Sequence, residues 1–395
     1  RGTEKRVKLD EGSGKRKKMG IYYTPSYIVD YIVKNTVGEY IKNKTIDEIL
    51  EVKIVDPACG SGSFLIRAFQ EVCDAIEEKL RKGEKAKNPT FKNYEDRLNL
   101  AQKITILIRC IYGVDLDEKA VELAQLNLLL KLLEGETRET KKLLLPNLKG
   151  NIKNGNSLID DSKIAGDKAF KWEAQFPEVF RNGGFDVVIG NPPYVKSRGL
   201  EGNKERMFIE KKFTTPYKMW DLYIPFIEKG MNILKNKGFF SMIIPDTMGV
   251  ADYTKKLVKF LIDNYSVYQI DFFPEIYVFD GVGIRSKIIF VKNSKDSKKC
   301  KQIIHDKTID NLIELPLIDN NTLEIFRITN SKINVVLSQT ISLGKICYVS
   351  YGARFNSDKE DPKKFKKEDL VSKNKDSIHS HLYTEGKYLS RYNIN

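Results

Sequence analysis

The sequence predicts an α/β protein with a mixed, mostly parallel sheet that is covered by helices on both faces. Three apolar, β-branched segments, at residues 54–56, 111–115 and 185–189, each run into a polar loop. The first two loops are followed by stretches with apolar residues at helical spacing. Strands that alternate with helices favour a doubly wound sheet, in which ligands bind at the carboxyl ends of the strands.

The first strand, residues 54–56, leads into a loop with two glycines, Gly60 and Gly62, and then into a helix. Glycine lets a loop turn tightly and approach a ligand, and the start of the helix offers unpaired N–H groups. The dinucleotide-binding pattern needs a third glycine that this loop lacks, so NAD is only weakly indicated. Asp56 at the strand end would repel a pyrophosphate and suits a cationic or hydroxyl-bearing ligand. A purely structural strand-to-helix turn is the alternative.

The second strand, residues 111–115, ends in Asp115 and precedes a helical stretch at 120–130. In doubly wound folds a carboxylate at this place accepts hydrogen bonds from ribose hydroxyls, and it usually follows the glycine loop by about 20 residues. Here Asp115 follows Asp56 by about 60 residues. Residues 67–78 and 94–109 carry apolar positions at helical spacing, so we expect helices to fill the additional length.

The third strand, residues 185–189, is followed directly by Gly190, Asn191, Pro192, Pro193 and Tyr194. An Asn side chain and a carbonyl on a proline-stiffened loop suit the binding of a flat, amino-bearing group. An ordinary Asn-Pro turn is the alternative interpretation.

Taken in their order along the chain, these motifs resemble the N6-adenine DNA methyltransferases of the restriction-modification and phage-exclusion type. This type IIG-like family has the Rossmann-like fold of the S-adenosylmethionine-dependent methyltransferases. Residues 191–194 resemble its catalytic tetrapeptide, 56–64 its glycine loop and 113–117 its ribose-binding turn. Residues 20–25 and 155–158 resemble its amino-terminal cofactor motif and its adenine-contacting turn. The tetrapeptide alone also occurs in methyltransferases that act on protein glutamine and on RNA, whereas the ordered set is more specific.

The resemblance implies S-adenosylmethionine as the cofactor, requires no metal, and gives roles to individual residues. The residues implied in cofactor binding are Tyr23, Thr24 and Pro25 at the methionine part, Asp56 near its amino group, Ala58, Gly60 and Gly62 in the glycine loop, Asp115 at the ribose, and Leu116 and Asn156 at the adenine. The catalytic residues implied are Asn191, Pro192, Pro193 and Tyr194. Tyr194 and Phe279 would stack on the target base, although Phe279 is equally typical of a core position beside an apolar strand at 287–291.

The composition agrees with a nucleic-acid partner. Lys and Arg number 67 against 53 Asp and Glu, and the formal net charge of +14 suits a polyanion such as double-stranded DNA. Five cysteines without a C-x-x-C pair and three histidines predict neither a zinc site nor a disulfide framework. The sequence shows no signal peptide and no apolar run long enough to span a bilayer, which predicts a cytoplasmic protein and no membrane partner.

The sequence predicts four regions. Residues 1–19 form a basic N-terminal extension, 20–292 an S-adenosylmethionine-dependent methyltransferase domain, and 293–340 a linker. Residues 341–395 resemble the start of a DNA target-recognition domain that is cut short. We therefore expect a fragment of a longer polypeptide, with fused or partner nuclease and specificity modules outside it.

The expected function is site-specific transfer of a methyl group to the N6 amino group of adenine in DNA, within a restriction-modification or phage-defence system. Methylation of cytosine N4 requires the same hydrogen bonds, and a protein-glutamine methyltransferase can use the same amide-binding geometry. A DNA-binding specificity subunit with a degenerate cofactor pocket is the non-enzymatic alternative. The intact set of Asp56, Asp115 and Asn191 disfavours it.

Overall fold

A computed structural model describes most of the chain before residue 329. The described residues are 23–92, 94, 97–136, 144–200, 203–279, 283–296 and 298–328. The basic extension predicted at 1–19 and the recognition module predicted at 341–395 lie outside these residues.

The core of the fold is one ten-stranded sheet. Its strands are β1 (Ile54–Asp56), β2 (Ile111–Asp115), β3 (Ile152–Asn154), β4 (Phe185–Gly190), β5 (Leu234–Pro245), β6 (Ser266–Phe272), β7 (Ser286–Lys292), β8 (Lys299–His305), β9 (Leu312–Glu314) and β10 (Ile318–Asp319). The strand order is β3-β2-β1-β4-β5-β7-β6-β8-β10, and β9 pairs with β8.

The half of the sheet that carries the predicted motifs is parallel. Strands β3, β2, β1, β4 and β5 pair in parallel with one another, in that order. Strand β7 runs antiparallel between β5 and β6, and β8 is parallel to β6. The carboxyl ends of β1, β2 and β4 therefore meet at one edge, as the predicted doubly wound sheet requires.

Helices occur between and before the strands, including the predicted ones after the glycine loop and after β2. They are α1 (Ser26–Val33), α2 (Glu39–Ile41), α3 (Ile46–Ile49), α4 (Ser63–Arg81), α5 (Leu100–Cys110), α6 (Glu118–Leu132), α7 (Ser162–Ala165), α8 (Trp172–Gln175), α9 (Pro177–Arg181), α10 (Asn203–Lys212), α11 (Tyr223–Asn232) and α12 (Lys255–Asn264). A single π-helical turn, Lys34–Gly38, joins α1 to α2. Short 3-10 turns occur at Pro89–Phe91, Leu148–Gly150, Gly166–Lys168, Ser197–Gly199, Asp252–Thr254 and Leu323–Phe326.

The additional length between the glycine loop and β2 is helical, as predicted. Helix α4 fills its first part and α5 its last part. Helix α5 starts later than residue 94 because Asn99 caps it: the Asn99 side chain accepts a hydrogen bond from Gln102 N, and the Gln102 side chain accepts one from Asn99 N.

Both faces of the sheet are buried. Neighbouring residues of one strand face two different cores, because side chains alternate along a strand. Ile54 and Val187 belong to the core that contains the buried faces of α1, α4, α5 and α6. Val55 and Val188 belong to the core that contains those of α11 and α12. All six residues of β4 are buried, which explains why its sequence is apolar apart from Asp186.

Part of the stretch predicted as a linker instead extends the sheet. Within 293–340, β8 pairs with β6 and itself carries β9 and β10. The buried amino group of Lys287 on β7 donates hydrogen bonds to Met248 O and Phe326 O, both at 2.9 Å. The 3-10 turn near Phe326 is thus bound to the sheet through a lysine. Within the described ranges, no helix is long and apolar enough to cross a membrane.

Candidate active site

Asp56 lies buried where β1 ends and the glycine loop begins. Its side chain is 2% exposed, and its Oδ1 accepts a hydrogen bond from Ala58 N at 2.9 Å. Burial raises the pKa of the Asp56 carboxyl to about 8, against the opposing effect of the Ala58 hydrogen bond. A buried carboxyl of this kind gains much from a cationic partner, because the partner offsets the loss of hydration.

The glycine loop is connected to the end of β2. Gly60 N donates to Asp115 Oδ2 at 2.8 Å, and Asp117 N donates to Asp115 Oδ1 at 2.9 Å. Burial raises the pKa of the Asp115 carboxyl, and these backbone hydrogen bonds oppose that rise. Each carboxylate oxygen has a second lone pair, so Asp115 retains the capacity to accept from a ligand hydroxyl.

Gly60 and Gly62 serve different purposes in this loop. Gly60 has a φ of +52°, and no atom lies within 4 Å of the position that its Cβ would take, so a ligand can approach the backbone there. Gly62 has a φ of +86°, and its Cβ would lie 3.2 Å from the Cβ of Ala124 on α6. Gly62 therefore permits the close approach of the loop to α6.

Gly190 brings the loop that begins at Asn191 against the glycine loop. A Cβ at this position would lie 2.6 Å from Asp56 Oδ1, and the residue has a φ of +153°. Only glycine tolerates both conditions without strain. The end of β4 therefore lies directly beside the buried carboxyl of Asp56.

Asn191, the next residue, contacts the amino-terminal cofactor motif. Its Nδ2 donates a hydrogen bond to Thr24 Oγ1 at 3.1 Å, across 167 positions of sequence. Thr24 precedes Pro25, the N-cap residue of α1. Tyr23 is 63% exposed, so its ring is accessible at the surface beside this contact.

The proline-rich loop leads to two aromatic rings in contact. Pro192 is buried and Pro193 half-buried. The Tyr194 hydroxyl donates to Ile243 O on β5 at 2.9 Å, and its ring meets Phe279 edge-to-face with centroids 5.9 Å apart. Phe279 is 3% exposed. Phe279 packs as a core residue that supports Tyr194.

The turn at Asn156 lies on the other side of the glycine loop. The Asn156 Oδ1 accepts from Leu158 N at 3.1 Å and Ile159 N at 3.2 Å, which holds the side chain in the turn. The buried hydroxyl of Ser157 donates to Pro57 O at 2.6 Å. Pro57 is the residue that follows Asp56. Leu116 is 56% exposed and borders a shallow depression, so it offers an apolar surface for a flat ring.

Two further residues, Asn127 and Trp172, hold this arrangement, and the sequence patterns did not point to them. Asn127 Nδ2 on α6 donates to Ser61 O in the glycine loop at 3.0 Å. Trp172 Nε1 donates to Ser157 O at 3.0 Å and so supports the Asn156 turn. Asn127 had a recognisable signal, because it is a polar residue inside a leucine-rich helical stretch. Among the residues that the structure describes, no group of three or more His, Cys, Asp or Glu is placed to hold a metal ion.

Two models of known protein families match the chain. A family model described as Eco57I restriction-modification methylase matches residues 109–279. A second, described as the methyltransferase domain of RMKL-like proteins, matches residues 50–152. The chain is 35% identical over 341 residues to the type II restriction enzyme and methyltransferase RM.Eco57I of Escherichia coli.

The chain belongs to the restriction-modification methylases. The alignment with RM.Eco57I covers 82% of the chain and 34% of that relative. The type II methyltransferase M.BstVI of Geobacillus stearothermophilus is 28% identical, over 71% of the chain and 43% of the relative. This methylase chain therefore spans less than half the length of both relatives.

A solved structure shares the fold of this methylase. The type IIL restriction-modification enzyme MmeI, solved in complex with DNA, superposes with a TM-score of 0.55 at 15% identity. The match covers 77% of the chain and 41% of MmeI. At this identity the likeness concerns the fold alone, and it confirms the predicted Rossmann-like α/β class.

The family relationship supports S-adenosylmethionine as the cofactor. The site fits this molecule on three observations. The backbone at Gly60 is open to a ligand, the buried carboxyl of Asp56 suits a cationic amino group, and Leu116 presents an exposed apolar side chain.

Proposed function

We propose that this methylase transfers a methyl group from S-adenosylmethionine to the N6 amino group of adenine at a specific site in double-stranded DNA. The observation that carries the proposal is the position of Gly190 against Asp56, which places the Asn191 loop beside the glycine loop. A cofactor bound at the glycine loop and an amine bound at Asn191 would then lie side by side, as direct transfer between them requires.

The cofactor side of the proposal follows the strand ends. Tyr23, Thr24 and Pro25 would contact the methionine part, and Asp56 would pair with its amino group. Asp115 would accept from the ribose hydroxyls. The remaining residues of this side are Ala58, Gly60 and Gly62 in the loop, with Leu116 and Asn156 at the adenine ring.

On the side that would bind the target base, the tetrapeptide at residues 191–194 suits the chemistry of the amine. An exocyclic amine on adenine is a poor nucleophile, because its lone pair is delocalised into the ring. The Asn191 Oδ1 and the Pro192 carbonyl would accept hydrogen bonds from the two N–H groups of the amine. They would so stabilise the charge that develops on its nitrogen. Pro193 stiffens the loop that carries this carbonyl. The bound cofactor supplies an electrophilic methyl group, so the chain needs to position the amine rather than to provide a strong base.

Tyr194 would support the target base by stacking, with Phe279 behind it. An amine inside a duplex is out of reach, so the base must leave the helix at a cost of a few kcal/mol. An aromatic surface offsets part of that cost, because base–aromatic stacking contributes about 1–3 kcal/mol per base. The formal net charge of +14 supports a DNA partner.

Adenine is favoured over cytosine by one relative. The adenine-specific methyltransferase PglX of Streptomyces coelicolor is 26% identical over 63% of this chain and 21% of its own length. Cytosine N4 remains the second candidate, since its amine would use the same two acceptors. We further propose that nuclease and target-recognition functions belong to other parts of a longer protein or to partners, because RM.Eco57I is named as both restriction enzyme and methyltransferase.

Nucleoside mass spectrometry tests the proposal. DNA is taken from a methylation-free host that expresses the methylase, either wild type or with Asn191→Ala. We expect N6-methyladenine with the wild type and a rate about 10²–10³ lower with the variant, the range for loss of one preorganised hydrogen-bonding group. N4-methylcytosine in its place would assign the second candidate. Unmodified DNA from both strains would refute DNA methylation by this chain.

A further inference from the structure

The hydrogen bond between Thr24 and Asn191 has a consequence for catalysis. We propose that Thr24 is a positioning residue, which turns the Asn191 amide so that its oxygen faces the target amine. This inference rests on the proposed function and adds to the cofactor contact that the family resemblance implies for Thr24.

An Asn side chain needs such a partner because its two ends have the same shape and opposite hydrogen-bonding character. The terminal torsion of Asn is broad and roughly two-fold, so rotation exchanges oxygen and nitrogen at little intrinsic cost. With the oxygen inward, the amide accepts from the amine. With the nitrogen inward, it would present N–H donors to the donors of the amine.

In the structure the amide has the first orientation, with its nitrogen on Thr24. Thr24 Oγ1 accepts from Asn191 Nδ2 at 3.1 Å, so the nitrogen is directed toward the amino-terminal motif. The oxygen then lies on the opposite side of the amide group. The same contact in the reversed amide would require Thr24 to act as the donor, so the hydroxyl favours one state only when its own proton is used elsewhere.

Two local constraints make Thr24 suitable for this task. Threonine is branched at Cβ and has restricted χ1 freedom, and a residue before proline is confined to extended backbone. Pro25 is itself fixed at the start of α1, where its carbonyl accepts from Ile28 N at 3.0 Å and Val29 N at 3.1 Å. Ile28 is fully buried. The backbone that carries the Thr24 hydroxyl is therefore anchored to the core through Pro25 and α1.

The test separates positioning from cofactor contact. Thr24→Val keeps the size and β-branching and removes the hydroxyl, whereas Thr24→Ser keeps the hydroxyl. Thr105→Val is the matched control, because Thr105 is also half-buried but donates to Ala101 O on α5, away from the site. For each purified protein, single-turnover methylation is measured at saturating cofactor and DNA, and cofactor affinity is measured by calorimetry.

We expect Thr24→Val to lower the single-turnover rate about tenfold, the scale for loss of one hydrogen bond, with a change of less than about threefold in cofactor affinity. Thr24→Ser should restore most of the lost rate, and Thr105→Val should behave as wild type. In an Asn191→Ala background, Thr24→Val should have no further effect on the rate, because the Thr24 hydroxyl acts through Asn191.

Three results would overturn the inference. These are a normal rate in Thr24→Val with weakened cofactor binding, no rescue by serine, or the same tenfold loss in the Asn191→Ala background. Absence of methylation by the wild type would instead refute the proposed function and the inference with it. An active wild type beside an equally active Thr24→Val would refute only the role of Thr24.

Discussion

The buried carboxyl of Asp56 should make cofactor affinity depend on pH. Asp56 is 2% exposed, and burial raises the pKa of its carboxyl to about 8. At neutral pH most of the ligand-free protein therefore carries an uncharged Asp56. An ammonium group favours the ionised carboxylate, so cofactor binding should release this proton. Affinity should accordingly be weak at low pH and rise as pH approaches the pKa.

The magnitude follows from that pKa. If only the ionised form binds, the apparent dissociation constant is the intrinsic one divided by the ionised fraction. With a pKa of about 8, this fraction is about one half at pH 8, about one tenth at pH 7 and about one hundredth at pH 6. Affinity for S-adenosylmethionine should therefore rise about fiftyfold between pH 6 and pH 8.

Calorimetric titration at these three pH values measures the effect, and buffers of different ionisation enthalpy count the protons released. Asp56→Asn is the control, since it keeps the side-chain shape without a titrating group. The pH dependence of affinity that remains in Asp56→Asn comes from titration of the ligand and of every other group, including Asp115. Equal pH slopes in the wild type and in Asp56→Asn would refute the assignment of Asp56 to the amino group.

Three further substitutions test other parts of the site. Asp115→Ala should weaken cofactor affinity about tenfold or more, the scale for a hydrogen bond to a charged group. The rate at saturating cofactor should stay nearly unchanged. Calorimetry measures the affinity and single-turnover kinetics the rate, and a fall in the rate alone would contradict the prediction. Gly190→Ala should lower the free energy of unfolding by about 2–6 kcal/mol, since backbone strain and steric overlap with Asp56 each cost about 1–3 kcal/mol. Urea unfolding measures it, and a stability equal to wild type would show that the approach to Asp56 is looser. Phe279→Ala should lower the same free energy by about 3–5 kcal/mol, as for a buried aromatic; unchanged unfolding together with a weaker affinity for DNA would favour base stacking over core packing.

The sequence was informative where structure is determined locally. The strands at 54–56 and 185–189 end in side chains whose chemistry is visible in the sequence, and the glycine loop follows its strand directly. By contrast, β3 has three residues and only one is fully buried, so it left no periodic signal. Strand β8 lies in a polar stretch and owes its position to pairing with β6, a contact between distant segments.

Within the site, too, local features could be predicted from the sequence and contacts between distant segments could not. The resemblance indicated separately that Thr24 and Asn191 belong to the site, but no local pattern contains a hydrogen bond across 167 positions. The requirement for glycine at 190 is likewise tertiary, because it arises from Asp56 on the neighbouring strand. The sequence thus named Asp56, Gly190, Asn191 and Thr24 one by one, and only the three-dimensional structure shows the contacts between them.

Two contacts join the cofactor side of the site to the target side: Gly190 against Asp56, and Asn191 with Thr24. The first contact connects β1 and β4, which are adjacent parallel strands, and the second connects the end of β4 to the segment before α1, a helix with buried residues. Under the proposed function, the frame of the sheet would set the distance between a bound methyl donor and a bound amine, and methyl transfer requires that distance to be about 3–3.5 Å. Because the sheet holds the end of β4 beside the end of β1, we expect the movement that brings the reactants together to be that of the DNA base. Under the proposed function, contacts between protein and DNA would then offset the cost of base extrusion, a few kcal/mol.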